Sequence, residues 1–531
     1  MSSQGTPVRD AGPHSLPTRR AVLLAVCAGV MATSAMPPLR GTGWLILPAL
    51  TLLFTVLRTT SRPALAGWLF GLAHQASLLH WLFLLGPEAP IASRVLVPVA
   101  AAAAIVYASL FYLLLGWLAG RTTRLYGASA ALLALPVLWT GIEALRTAGE
   151  LGFPWCLSGM AFLQTPLYGL AAAGGELALG AAAAITAALL AALPGLAGAR
   201  SPARDARAVA TAAALAAAGL ATWGALAALA DRGDGRADAR SVRIAAVQAD
   251  VALRDKWAKG RIDSTMVPYT ILTAEAARAG AELVVWAETS VPAYLMYEPR
   301  LLRWVRTVAD TNDVHLFAGF PDATLEADGR QRRNNASGLF DPEGVLRDRY
   351  AKHHLLPFGE RMPWQSVMPW LSRIDLGQAE WQPGDPPASM ALHLDDGRDL
   401  ALGGLICYES IFPSLTRHAV SAGANVLVNI TNDGWFGRTA GPVQHAEMAR
   451  MRAAECGVPL VRCANNGISY ITDDRGAVRQ RAGLGERTLV IDDVVPGRGR
   501  TLFVRHGSWP LAGLLLFWTL MAFVVVKRWK P

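Results

Sequence analysis

Three residues of types able to cooperate in acyl chemistry stand far apart in the chain: Glu288, Lys352 and Cys407. Cys407 ends the run Gly404-Leu405-Ile406-Cys407-Tyr408-Glu409. A thiol is a strong nucleophile only as thiolate, so it needs a base or a nearby positive charge. Glu288, closing Leu-Val-Val-Trp-Ala-Glu, has the chemistry of the base, and Lys352 that of a cation for the thiolate and for a developing oxyanion. Taken singly, each also has a plain structural reading: a packed thiol, a solvated strand end, a surface charge. Spacing alone does not bring them together. The other cysteines, at 27, 156, 456 and 463, follow neither a disulfide nor a zinc pattern, and they read as small core residues.

The elements that must position the trio alternate between strand and helix. Polarity rises sharply at Asp231-Arg232-Gly233-Asp234-Gly235, a linker by composition. Beyond it, strands are expected over 242–247, 283–286, 315–319, 401–406, 426–430 and 459–463, and helices over 262–279, 299–311, 411–421 and 443–456. This alternation predicts an α/β domain over 232–508, with Glu288 and Cys407 at strand ends. A strand-to-helix turn there would present the thiol together with backbone N–H groups.

The rest of the chain is of another kind. Charged residues make up only 17% of the 531, against about a quarter in soluble proteins, and the mean hydropathy is +0.30. Apolar runs near the ~20 residues needed to cross a bilayer lie at 20–36, 43–57, 64–85, 95–119, 127–145, 165–195, 208–230 and 509–526. These eight expected spans define a membrane domain over 1–231 and a last helix with its tail over 509–531. Thirteen Lys and Arg flank them on one side (Arg9, Arg19, Arg20, Arg58, Arg62, Arg121, Arg124, Arg200, Arg204, Arg207, Lys527, Arg528 and Lys530) against Arg40, Arg94 and Arg146 opposite. The positive-inside rule then places both termini in the cytoplasm and 232–508 outside. The net charge of +9 thus reports topology and does not point to nucleic acid. The first run, behind Arg19-Arg20, reads as an anchor, not as a cleaved signal.

Polar groups within the apolar part are functional candidates by position. Glu143, Arg146 and Glu150 share one helix face if span five continues that far, so Arg146 could pair with either carboxylate. For His80 and Glu176, hydrogen bonding between helices is expected. The segment 363–387, with Trp364, Trp370 and Trp381, reads either as an arm at the bilayer interface, where Trp is favoured, or as an ordinary surface loop with its indoles buried.

Residues 242–497 resemble the nitrilase, or carbon–nitrogen hydrolase, superfamily through Trp286-Ala287-Glu288-Thr289, Tyr350-Ala351-Lys352-His353-His354-Leu355-Leu356-Pro357-Phe358-Gly359-Glu360 and Ile406-Cys407-Tyr408-Glu409. With the membrane flanks, the whole chain is similar to the apolipoprotein N-acyltransferase family. Thr431-Asn432-Asp433-Gly434-Trp435-Phe436-Gly437, Gly441-Pro442-Val443-Gln444-His445, Asn465-Asn466-Gly467 and Gly152-Phe153-Pro154-Trp155 carry that similarity. Ala287 departs from the family, where Pro is frequent, and His353-His354 enrich the lysine motif. The resemblance implies an αββα sandwich with Glu288 as general base, Lys352 as oxyanion stabiliser and Cys407 as nucleophile. It implies Glu360 as an auxiliary acid, Tyr408 and Glu409 as pocket-shaping groups, and Trp435 as a wall of the acyl or acceptor site; Phe153, Trp155, Trp364 and Trp370 are further substrate-binding candidates.

The implied reaction has two halves. Cys407 takes an acyl chain from a phospholipid, and the α-amine of a diacylglyceryl-cysteine at an apolipoprotein N-terminus takes it from the thioester. No metal or cofactor is expected, since no His/Cys/Asp cluster has ligand spacing; His445 reads as a packing or hydrogen-bonding residue. A monomer in a bacterial inner membrane is expected. The rival readings are an anchored amidase that uses water, a transporter with an outer domain, and an inactive scaffold.

Overall fold

The computed structural model describes residues 16–86, 94–197, 240–258, 260–325, 329, 331–374 and 380–528. The expected span at 208–230 and the linker at 231–235 lie outside the described residues.

The α/β part is built on two six-stranded sheets. The first has the order β12-β1-β2-β3-β4-β5, with β1 Val242–Gln248, β2 Leu283–Trp286, β3 His315–Leu325, β4 Gln331–Phe340, β5 Leu346–Ala351 and β12 Thr488–Val494. The second has the order β11-β10-β9-β8-β7-β6, with β6 Ser389–His393, β7 Asp399–Ile406, β8 Val426–Thr431, β9 Leu460–Ala464, β10 Tyr470–Thr472 and β11 Val478–Arg481. The parallel triplets β1-β2-β3 and β7-β8-β9 hold the continuous apolar runs. Strands covered on both faces need such runs. Phe317, Ile406, Val428, Val461 and Cys463 are buried in the core between the sheets. After the short helix α8 (Leu253–Lys256), helices α9 (Ile262–Arg278) and α10 (Pro299–Asn312) cover the first sheet, and α11 (Pro413–Ser421) and α12 (Ala440–Cys456) cover the second. The result is the expected αββα sandwich. Glu288, Lys352 and Cys407 follow the C-terminal ends of β2, β5 and β7.

The apolar part forms a helical bundle: α1 Thr18–Ser34, α2 Ile46–Thr59, α3 Pro63–Leu78, α4 Leu96–Tyr126 and α5 Ala128–Leu145, then α6 Ala171–Gly174 and α7 Glu176–Ala197. Helices α3 and α4 approach so closely that a Cβ on Gly67 would lie 2.2 Å from the Tyr112 carbonyl oxygen, and one on Gly116 would lie 2.2 Å from that of Pro63. Small residues permit this kind of backbone contact between membrane helices. Among the described residues α4 and α5 are long and apolar enough to cross a membrane, and a bent pair makes a third. That pair corrects span six. It bends by 115° between Pro166–Gly174 and Glu176–Ala192, at Gly175, whose φ is +77°. Span three is likewise a helix that ends at Leu78 and gives way to a 3₁₀ turn over His80–Leu84. The C-terminal helix, Trp509–Arg528, packs against α5 and α7, with the Trp518 indole donating to the Leu133 carbonyl at 2.7 Å.

Helix α12 joins the two parts. The Gln444 amide accepts from the Trp81 and Trp155 indoles at 2.9 and 2.7 Å and donates to the Pro37 and Leu78 carbonyls at 3.1 and 3.3 Å. Two turns on, Arg452 pairs with Glu176 at 2.7 Å and Glu455 at 3.2 Å, all three buried. Glu176, at the start of α7, thus bonds another helix as expected, and that helix belongs to the α/β part, so the pair lies at the junction. Burial pushes the Glu455 carboxyl up, and Arg452 opposes this. Removing one partner from a buried ion pair costs about 3–5 kcal/mol. Arg452→Met should therefore lower the thermal midpoint in detergent sharply, and the triple change Glu176→Leu, Arg452→Met, Glu455→Leu should restore most of it. An unchanged midpoint in the single variant would show that the cluster does not hold the junction.

Candidate active site

Cys407 is placed by backbone geometry. Strand β7 stops at Ile406, and Cys407 takes φ +52° as the first residue of the 3₁₀ turn Cys407–Ile411. A left-handed backbone is costly for a residue with a side chain, so the turn is held from several sides. Glu409 does much of this. Its Oε1 accepts from the Tyr350 hydroxyl at 2.7 Å and from the His353 and His354 N–H groups at 2.8 and 3.0 Å. Its Oε2 accepts from the Ile406 N–H at 2.7 Å. One buried carboxylate thus binds the cysteine turn to the segment that follows Lys352. Tyr408 fastens the turn on its other side, donating to the Gly152 carbonyl at 2.9 Å.

Glu288 leaves β2 through a comparable turn, in which Thr289 has φ +47°. Its carboxylate accepts from Asn335 Nδ2 at 2.7 Å, and its carbonyl accepts from Lys256 Nζ at 2.8 Å. Lys352, just past β5, contacts both oxygens of Glu360 at 2.8 and 2.9 Å. Asn335 on β4 ties the two carboxylates together, since its Nδ2 also reaches Glu360 Oε1 at 3.2 Å. Its carbonyl receives the Lys352 N–H at 2.8 Å.

The charges set the resting state. Burial, with Glu288 close by, pushes the Cys407 thiol up, and Lys352 pulls it the other way. Burial also raises the Glu288 carboxyl; Glu360 adds to this, while Lys352, Asn335 and Lys256 oppose it. Burial works against the Lys352 charge, but Glu360, Cys407 and Glu288 outweigh it and keep the ammonium protonated. Lys256 is brought down to about 7 by burial, against the pull of Glu288. The cluster thus combines a thiol and a carboxyl that burial raises with an ammonium that stays charged.

The expected trio comes together, with Glu360 on Lys352 and Glu409 in an orienting role. The other expected residues have contacts of their own. Trp155 is buried as an anchor against Gln444, stacked on the half-buried Phe153 at 5.5 Å. Phe153 in turn faces Tyr408 at 6.5 Å. Trp435 is half-buried in the turn Asp433–Phe436, and its neighbour Phe436 packs on Trp81 at 5.0 Å. Trp364 and Trp370 are 44% and 57% exposed, and Trp381 is half-buried. The Arg146 pairing is corrected: α5 ends at Leu145, so Arg146 bonds the Tyr112 hydroxyl and the Trp155 carbonyl. Glu143 instead holds Ser158, and Glu150 accepts the Trp364 N–H at 2.5 Å. His80 bonds the Ser77 carbonyl within its own turn.

Sequence reasoning passed over Asn335 and Lys256. A signal for Lys256 exists. The chain has five lysines among its 49 basic residues, and two of the five stand at Glu288. Where arginine is otherwise used almost throughout, a buried lysine marks a place that needs a compact ammonium.

Comparison with known proteins covers both parts. Residues 243–502 match the carbon-nitrogen hydrolase family, and residues 28–189 match the apolipoprotein N-acyltransferase N-terminal domain. Solved structures with a similar chain include an amidase from Nesterenkonia sp., at 20% identity and a TM-score of 0.38 over 52% of this chain and 97% of that one. The apolipoprotein N-acyltransferase of Azotobacter vinelandii is 33% identical, the alignment covering 94% of each chain. That of Geobacter metallireducens is 30% identical over 92% of each. On this full-length similarity, the chain belongs to the apolipoprotein N-acyltransferase family.

Proposed function

We propose that the chain transfers an acyl chain from a phospholipid, through a thioester on Cys407, to the α-amine of a diacylglyceryl-cysteine at the N-terminus of apolipoproteins. One observation carries the reading to these residues: the turn that holds Cys407 is packed into the membrane bundle. Tyr408, Ile411 and Phe412 lie in the same apolar cluster as Phe54, Trp81, Trp139 and Trp155. A site seated there meets acyl chains without drawing them into water, which would cost roughly 0.8 kcal/mol per CH₂.

In the first half-reaction Glu288 accepts the thiol proton as sulfur attacks the ester carbonyl. Lys352 and a backbone N–H of the turn stabilise the oxyanion, and the lysophospholipid leaves with a proton. In the second, the α-amine attacks the thioester, Glu288 takes its proton, and the thiol is regenerated. Glu360 holds Lys352 in place or assists proton transfer. Phe153 and Trp435 line the substrate site beside the anchor Trp155, and Trp364 and Trp370 lie on an arm at the bilayer interface. The chain divides into a membrane domain (1–231), an outer catalytic domain (232–508) and a last span with its tail (509–531). It crosses a bacterial inner membrane eight times with both termini in the cytoplasm, and it works as a monomer.

Purified protein incubated with phospholipid and a diacylglyceryl-peptide should yield the amide and a trapped Cys407 adduct by mass spectrometry. Cys407→Ala should abolish both, and Glu288→Gln should lower the rate by about 10²–10⁴-fold. Free fatty acid without amide would instead favour an amidase-like use of water. Unchanged turnover in Cys407→Ala would end the mechanism.

The pH dependence has a defined sign. Glu288 works as a base only when ionised, and its pKa lies above the ordinary 4.5, so kcat/KM should rise with pH along a limb above that value. Asn335→Leu removes a hydrogen bond that favours the carboxylate. It should move this limb further up and cost more at pH 6 than at pH 8. A limb that stays in place would mean that Asn335 does not tune Glu288.

A further inference from the structure

A buried cluster behind the cysteine turn is not used by the mechanism above. His445 on α12 places Nε2 3.2 Å from the Cys407 carbonyl oxygen. Its Nδ1 lies 2.9 Å from Asp433 Oδ1 and 3.2 Å from Arg462 Nη2. Arg462 also bonds Asp433 Oδ2 at 2.8 Å, the Ile468 carbonyl at 3.2 Å and the Asn429 amide. His445, Asp433, Arg462 and Asn429 are all buried, so the ring has little freedom to turn. Because Nε2 faces a carbonyl oxygen, that nitrogen carries a proton. Ser410 Oγ donates to the same oxygen at 2.9 Å.

The Cys407 carbonyl and the Tyr408 N–H belong to one planar trans peptide and point in opposite directions. Fixing the oxygen from one side therefore fixes the direction of the N–H on the other. Tyr408 lies in the first turn of a short helix, where N–H groups lack partners within the helix. Donation to the carbonyl also polarises the peptide and strengthens its N–H as a donor. Without such a clamp, the left-handed residue at 407 would favour another peptide orientation.

We propose that His445, held by Asp433 and Arg462, is a positioning residue that aims the Tyr408 N–H at the oxyanion formed during acyl transfer. It acts through the peptide and touches neither the substrate nor the sulfur. The inference rests on the acyl-transfer reading and extends it to a group outside the Glu288, Lys352 and Cys407 set.

The test separates oxyanion stabilisation from thiol reactivity. Full-length wild type, His445→Met, His445→Gln and Ser410→Ala are compared in detergent micelles. One assay follows thioester formation from a diacyl phospholipid with labelled acyl chains. The other follows alkylation of Cys407 by iodoacetamide, a displacement that forms no oxyanion. His445→Met should slow acylation by about 10²-fold, the value of one oxyanion donor, and leave alkylation within about twofold. His445→Gln keeps an N–H donor and should recover most of the rate; Ser410→Ala should lose several-fold in acylation alone.

Parallel losses in both assays, a Gln variant no better than Met, or full acylation by His445→Met would each overturn the proposal. Should His445→Met not fold, Ser410→Ala decides it by the same pair of assays. A wild type that forms no thioester from phospholipid would defeat the acyl-transfer reading instead. The same variants would then be compared on an activated p-nitrophenyl ester, whose cleavage also passes through an oxyanion.

Discussion

The seating of α12 in the membrane bundle is the contact on which the remaining geometry depends. Gln444 enters among the ends of several bundle elements and satisfies its whole amide there, two indole donors on the oxygen and two carbonyls on the nitrogen. A buried polar group left unpaired costs about 1–3 kcal/mol, so a slip of one residue along this helix would be penalised at each end of that amide. Met448 and Met451, in the bundle's apolar cluster, supply non-directional burial, and the amide supplies the register. Because His445 is the next residue, the same register fixes what lies behind the cysteine.

The cluster around Glu288 shows the same economy in its charges. Two carboxylates, Glu288 and Glu360, would repel each other in a medium of low polarity. Asn335 lies between them as a shared donor, and Lys352 and Lys256 flank them. Lys352 is engaged by Glu360 rather than Glu288, which leaves Glu288 free to accept a proton. Position along the sheets makes this possible: Glu288, Lys352 and Cys407 follow the C-terminal ends of β2, β5 and β7.

Much of this was legible in the sequence, for identifiable reasons. The parallel strands β1, β2, β7, β8 and β9 are apolar runs because both of their faces are covered, and their ends marked Glu288 and Cys407. Strand β4 escaped notice because it opens Gln331-Arg332-Arg333-Asn334-Asn335, a polar stretch that belongs to a strand only through its pairing with β3 and β5. Asn335 was hidden with it. In the bundle, hydropathy identifies apolar segments but not their course: the bend at Gly175 sits within a long apolar run whose one charged residue is Glu176. A shared Glu143, Arg146 and Glu150 face requires a helix longer than α5, and their partners come instead from α4, from the loop over 155–158 and from Trp364. Contacts that cross between the two parts, such as Arg452 with Glu176, have no local sequence signature at all.

The turn that holds Cys407 lends its own residues, Tyr408, Ile411 and Phe412, to the apolar interior of the bundle. The two halves are therefore not modules in the engineering sense. A soluble version of the sandwich alone would expose that underside to water and lose the Gly152 anchor of Tyr408 together with the seat of Gln444. Grafting the sandwich onto a different membrane anchor would restore its location but not the surface against which the turn was folded. Exchange of parts between relatives would have to carry the loop over 152–155 and α12 together, as one inherited unit.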